Sequence, residues 1–237
     1  MSIWSHKLII LLTTFFIGVS FVAFWYLNYS NSVVNVEVKT PECFPQYSDN
    51  FGVADYKGIL TRQVYSIDKN NVKDPVLDQE ASAKATADLF SRFREIPFRK
   101  LPTCVNESYR LTWIPTFHAP TIIRVWRSDD KYFLTVKRLN GKGGYGLGDL
   151  ELEQTNSLTF KQWKQIETLI QEASFWENAS LIEESIPNDG AAWLFEGFNN
   201  CQYHYVYRRT PTEDLSKIFK KLFELSQVNT EYEMYLN

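Results

Sequence analysis

TIIRVWRSDDKYFLTVKRL (Thr121–Leu139) contains two runs of β-branched and aromatic residues on either side of a pair of aspartates. Apolar and polar residues alternate within each run, so Thr121–Arg127 and Tyr132–Leu139 read as strands, and Asp129-Asp130 as the two-residue turn of a hairpin. Side chains alternate across a strand, and the turn sets the register. Ile123 and Val125 then share one face with Leu134 and Val136, while Arg124 and Trp126 share the other with Phe133, Thr135 and Lys137. The first face is expected to be core. The second reads as a mixed basic-aromatic surface and a place for a partner.

The flanking sequence extends this pattern. Tyr109–Ile114 reads as a preceding strand, Asp149–Gln154 as a short following one, and Gly58–Ile67 as a segment able to hold another. Ala191–Phe198 and Cys201–Arg208 read as a second hairpin turning at Asn199-Asn200, because Asn tolerates positive φ. That register sets Phe195 opposite His204, Trp193 opposite Val206 and Glu196 opposite Tyr203. Three stretches have helical spacing. Val76–Arg94 carries Leu77, Ala81, Ala85, Leu89 and Phe93 on one side. A helix capped by Thr159 and running to about Ser174 carries Phe160, Trp163, Ile166, Leu169 and Ile170. A last helix, opened by Pro211 and Thr212 and running to about Gln227, carries Leu215, Ile218, Phe219, Leu222, Phe223 and Leu225. Hairpins with separate helices predict an α+β fold, an antiparallel sheet of about five to six strands packed by two to three helices.

Leu8–Leu27 is a run of twenty residues without charge or proline, long enough for a helix to cross a bilayer. Gly18-Val19-Ser20 resembles a signal-peptide cleavage site, but the apolar run continues through Phe21–Leu27, which favours an uncleaved anchor. Lys7 precedes the run and no Lys or Arg follows until Lys39, so the amino terminus is expected in the cytoplasm. This gives a cytoplasmic stub at 1–7, a single-pass anchor at 8–27, a tether at Asn28–Thr40 and an extracytoplasmic domain at 41–237. Within that domain, 41–100 reads as an irregular and helical arm and 101–237 as the sheet-containing core. The expected location is the inner (plasma) membrane, with the bulk periplasmic or otherwise outside.

Composition excludes several classes of function. A net charge of −3 is too mild to imply a nucleic-acid partner, and none is expected. Cys43, Cys104 and Cys201, an odd number, permit at most one internal bridge, whose pairing stays open. Their spacing matches no zinc pattern, and no cofactor or metal is expected. Gly141-Lys-Gly-Gly-Tyr-Gly146 matches the G-x-G-x-x-G string. A dinucleotide site, however, needs a helix after that loop, and here a strand follows. The loop therefore reads as a glycine-rich hairpin connection. HExxH and GxSxG are absent. Of the two histidines beyond the anchor, His204 reads as a core histidine between two tyrosines. His118 sits in the Pro-flanked loop Pro115–Pro120, where it can fix the turn. Most tryptophans occupy core-phase positions; Trp126, on the face with Arg124, is the exception.

Tyr109–Trp113, Phe117-His118, Pro120, Arg124-Val125, Gly141–Tyr145, Phe175-Trp176, Asp189–Ala191 with Trp193 and Glu196-Gly197, and Tyr203-His204 with Val206, Arg208 and Pro211 together resemble a group of short bacterial proteins of unknown function, often exported or anchored. The resemblance runs from Tyr109 to Pro211 and does not include the first hundred residues. Cys201 departs from it at a turn position that is more often glycine or polar. The resemblance implies no activity, but it groups Arg110, His118, Arg124, Tyr145, Asp189, Glu196, His204 and Arg208 as candidate binding residues. Glu196 and Arg208 read alternatively as an internal ion pair. The function expected is binding of a protein or cell-envelope component, through the face near Arg124 and Trp126 or through the glycine loop. The alternative is an envelope hydrolase or transferase using His118 or His204 with Asp189 or Glu196.

Overall fold

The structure, a computed structural model, describes residues 55, 66–67, 73–74, 79–101, 105–182, 190–200 and 202–236. Leu8–Leu27, the tether, Cys43, Cys104, Cys201 and Asp189 lie outside the described residues. No helix among the described residues is long and apolar enough to cross a membrane.

The elements are β1 (Ser66–Ile67), β2 (Lys73–Asp74), α1 (Gln79–Arg92), β3 (Glu107–Pro115), β4 (Thr121–Ser128), β5 (Lys131–Leu139), β6 (Leu150–Leu158), α2 (Phe160–Glu172), β7 (Ala191–Asn199), β8 (Gln202–Arg208) and α3 (Glu213–Ser226). β1 and β2 pair in a two-stranded ribbon, and the other six strands form an antiparallel sheet in the order β6-β5-β4-β3-β7-β8. The chain therefore has the α+β architecture expected. Of the expected Gly58–Ile67 strand, only Ser66–Ile67 lies within the described residues. The strand expected at Asp149–Gln154 instead runs to Leu158, because Thr155, Asn156 and Ser157 continue the pairing with β5.

The β4–β5 hairpin turns at Asp129-Asp130, with Asp129 at φ 50° and Ile123 opposite Val136 and Val125 opposite Leu134. The second hairpin differs from its expected register. Asn199 pairs with Gln202, so Phe195 faces Val206, Trp193 faces Arg208 and Glu196 faces Tyr205. Asn200, at φ 47°, is the turn residue, one position later than expected. The slip keeps every side chain on its expected face, since each strand residue meets a partner two positions along.

Tyr109, Leu111, Trp113, Ile123, Val125, Leu134, Val136, Trp193, Phe195 and Val206 form the larger core with Trp163, Ile166 and Ile170 of α2 and Leu215, Ile218, Phe219, Leu222 and Phe223 of α3. These helices start where the sequence indicates. The Thr159 hydroxyl accepts from the Gln162 amide while the Gln162 side chain accepts from the Thr159 amide, a reciprocal cap. The Thr212 hydroxyl caps α3 by accepting from the Leu215 amide, without a return bond. Phe160, expected on the buried stripe of α2, is 59% exposed, because it sits in the first turn beyond the sheet's edge strand. Replacing Thr159 by alanine is expected to lower stability by about 1 kcal/mol in urea denaturation, with the fold unchanged.

The opposite sheet face is also closed. Leu89, Phe90 and Phe93 pack on Ile122, Leu139, Leu194 and Tyr207, and Ile96 and Val105 pack on Trp126 and Phe133. The expected basic-aromatic surface is thus corrected: Arg124, Trp126, Phe133, Thr135 and Lys137 are all buried beneath α1 and the segment that follows it. The buried side of α1 is also rotated from the expected stripe. It runs through Ser82, Ala83, Thr86, Leu89, Phe90 and Phe93, and the Thr86 hydroxyl is satisfied by the Ser82 carbonyl at 2.8 Å.

Candidate functional site

Three candidate residues converge. Arg110 on β3, Arg124 on β4 and Glu196 on β7 share the face beneath α1, and Glu95, just after α1, completes the group. One Arg124 nitrogen meets both Glu95 oxygens at 2.7 and 2.6 Å. The Lys137 ammonium meets Glu95 at 3.0 Å, the half-exposed Glu153 at 3.1 Å and the Arg94 carbonyl at 2.8 Å. Arg110 donates to Glu95 at 3.2 Å, to the Ile96 carbonyl at 2.7 Å and through Nε to Glu196 at 2.8 Å, and its Nη2 lies 2.7 Å from the same Glu196 oxygen as an ion pair. Its guanidinium lies between the rings of Phe90 and Phe98, 4.1 and 4.4 Å from their centroids. The Tyr203 hydroxyl donates to the remaining Glu196 oxygen at 3.0 Å.

This cluster is a closed ion network rather than an open site, because its charges pair with one another and Glu95, Arg110, Arg124, Lys137 and Glu196 are all buried. Burial opposes ionisation of Glu95, but Arg124, Lys137 and Arg110 outweigh it and hold its carboxyl at about 2. Burial raises Glu196, with Arg110 working against the shift. Glu95 titrates lower in the folded state than its ordinary 4.5, so its stabilisation is complete above about pH 4.5 and is lost as pH falls toward 2. Glu196 has the opposite sign and does not add to that loss. Urea midpoints are expected to decline below about pH 4.5, with up to about 3 kcal/mol assignable to Glu95. A midpoint flat down to pH 3 would contradict this.

The other candidates lie elsewhere. Trp126 is buried and stacks on Phe133 at 4.3 Å and 22°. Arg208 does not pair with Glu196, because alternation puts the two on opposite faces. Instead it donates to the Ala179 carbonyl at 2.8 Å and to the Tyr207 carbonyl at 2.7 Å. His204 is half-buried rather than a full core residue, flanked by Phe175 and Trp176. Burial lowers its pKa, and its Nε2 makes no hydrogen bond among the described residues. His118 bonds the Tyr235 hydroxyl at 2.8 Å and Glu231 at 2.9 Å, tying the β3–β4 loop to the C-terminal segment.

These positions bear on the hydrolytic alternative. His204 lies beside Gly197 opposite Tyr109, and His118 lies beyond Pro115, about 20 Å further along β3 at the usual strand rise. Glu196 and His204 point to opposite faces of the sheet. Among the described residues no group of histidine, cysteine and carboxylate converges as metal ligands.

Tyr145 remains, and with it a residue that sequence reasoning passed over. Tyr145 is 75% exposed and Phe117 39%, and their ring centroids are 6.0 Å apart. They come from two connections, β5–β6 and β3–β4, which are joined by backbone bonds from the Gly143 amide to the His118 carbonyl at 3.3 Å and from the Gly144 amide to the Thr116 carbonyl at 3.0 Å. A Cβ at Gly143 would lie 2.4 Å from the Pro115 carbonyl oxygen, and one at Gly144 2.7 Å from the Thr116 methyl. The glycines are there so that one loop can seat on the other. The result is an exposed ring pair on a braced support at one end of the sheet. The signal for Phe117 was its place in a Pro-flanked loop, where an aromatic residue has no strand face to bury it.

No protein-family profile and no curated protein matches the chain.

Proposed function

We propose that this chain is a single-pass membrane protein of a bacterial envelope, anchored by Leu8–Leu27 with its amino terminus in the cytoplasm, whose α+β domain binds a protein or envelope component outside. The contact is made by the glycine loop and its neighbour, with Tyr145 and Phe117 as anchors and His118 at their side. The observation that carries this reading is the exposed ring pair held in place by glycine packing. Exposed aromatics on a rigid support supply contact area at little entropic cost. Burial of Arg124 and Trp126 removes the competing surface.

The test is a photo-reactive phenylalanine analogue at position 145 in cells, with the same analogue at the remote exposed position 161 as control. A discrete adduct is expected from 145 and not from 161. Phe117→Ala is expected to reduce its yield about tenfold, as truncation of an interface anchor does, with stability changed by no more than about 0.5 kcal/mol. No adduct at 145, or an equal one at 161, would overturn the reading.

A further inference from the structure

β6 ends the sheet on one side, and among the described residues no backbone group pairs along its outer edge. The opposite edge is different: there the β8 amide of Tyr207 donates to the Ser180 carbonyl at 2.8 Å. β6 carries neither proline nor lysine, two of the usual protections of an edge. Glu151 is matched by Arg138 at 3.2 Å and Glu153 by Lys137 at 3.1 Å, both on β5. The regular part of the strand runs from Leu152 to Leu158, paired with Arg138 back to Tyr132; the ladder is irregular only beyond it, at Arg138/Leu139.

That regular part, Leu152-Glu-Gln-Thr-Asn-Ser-Leu158, is close to a chemical palindrome centred on Thr155. We propose that β6 pairs antiparallel with β6 of a second copy of this chain, about a two-fold axis at Thr155, making one sheet continuous across both copies. In this register Thr155 faces its own counterpart, Gln154 faces Asn156, Glu153 faces Ser157 and Leu152 faces Leu158. No like charges oppose, amide meets amide, and the leucines, each already packed at the margin of the larger core, cover one another. A register shift of two places would set Leu152 against Asn156 or Leu158 against Gln154, a shift of four would set Glu153 or Ser157 against itself, and a shift of one would mismatch the faces. The self-complementarity of the segment is what selects a second copy over an unrelated strand.

The experiment uses the full chain purified in mild detergent, with mass measured by light scattering corrected for bound detergent. Wild type is expected to have twice the chain mass. Gln154→Lys with Asn156→Lys puts like charges opposite and is expected to give the single-chain mass, with an unchanged circular dichroism spectrum. Gln154→Lys with Asn156→Glu is expected to restore the doubled mass. Thr155→Cys is expected to form a bismaleimide-linked dimer that neither wild type nor Lys220→Cys forms. A wild-type chain of single mass, a dimer that survives the double lysine change, or a dimer in which Thr155→Cys does not link would each overturn the proposal.

Discussion

Glu95→Gln is expected to destabilise the domain by about 3–5 kcal/mol, measured by urea denaturation, because it leaves buried cations without their counter-charge. Arg124 and Lys137 both lean on that carboxylate, at 2.6 and 3.0 Å, and Arg110 meets it at 3.2 Å. A glutamine can accept hydrogen bonds but cannot neutralise the cations, and Arg110, Arg124 and Lys137 are all buried. Such a loss is a large part of the roughly 5–15 kcal/mol available to a typical domain, so the variant is expected to be poorly soluble. A companion variant separates charge from shape. Glu95→Leu with Arg124→Met and Lys137→Met removes the three charges together, and most of the stability is expected to return, since a buried ion pair replaced by well-packed apolar groups is often neutral. If Glu95→Gln were as stable as wild type, the ion network would not be buried as described.

Trp193→Ala is expected to cost about 3–5 kcal/mol, the range for emptying a large aromatic site in a core. Trp193 is fully buried on β7, stacked on Phe219 of α3 at 5.2 Å and 8° and tilted against Trp113 at 5.8 Å. Its neighbours are themselves rings, which do not collapse into the space left behind. The loss should appear as a lowered denaturation midpoint with an unchanged slope. A cost below about 1 kcal/mol would mean that the helices do not pack on this face as found.

Local order in the sequence was enough to locate most elements. Period-two alternation marked β3, β4, β5, β7 and β8, and Thr159 and Thr212 marked the starts of α2 and α3. Alternation also sorted Arg124, Trp126, Phe133, Thr135 and Lys137 onto one face correctly. It did not show that the face is covered. Charged residues are rarely buried unless paired, and the partner that permits burial here is distant in sequence: Glu95 lies 29 residues before Arg124, and Glu196 lies 86 residues after Arg110. No spacing rule connects residues so far apart. The β7–β8 turn was misplaced by one residue because Asn199 and Asn200 suit a turn equally well, and only the pairing of Asn199 with Gln202 decides between them. The glycine loop was legible as a hairpin connection, since a strand follows it. Its role as a brace was not, because Pro115 and Thr116, on which it seats, lie at the end of β3 and in the connection that follows it.

The sheet is closed on both faces, and the proposed partner contact is at the Phe117–Tyr145 end. Hydrogen exchange on the full chain, in native membranes and after purification in detergent, tests this most directly. Slow exchange across β3, β4 and β5 is expected in both preparations, with residues 116–118 and 141–146 gaining protection only in the membranes. Fast exchange across β4 and β5, or protection in membranes that falls on another surface and spares both loops, would contradict it.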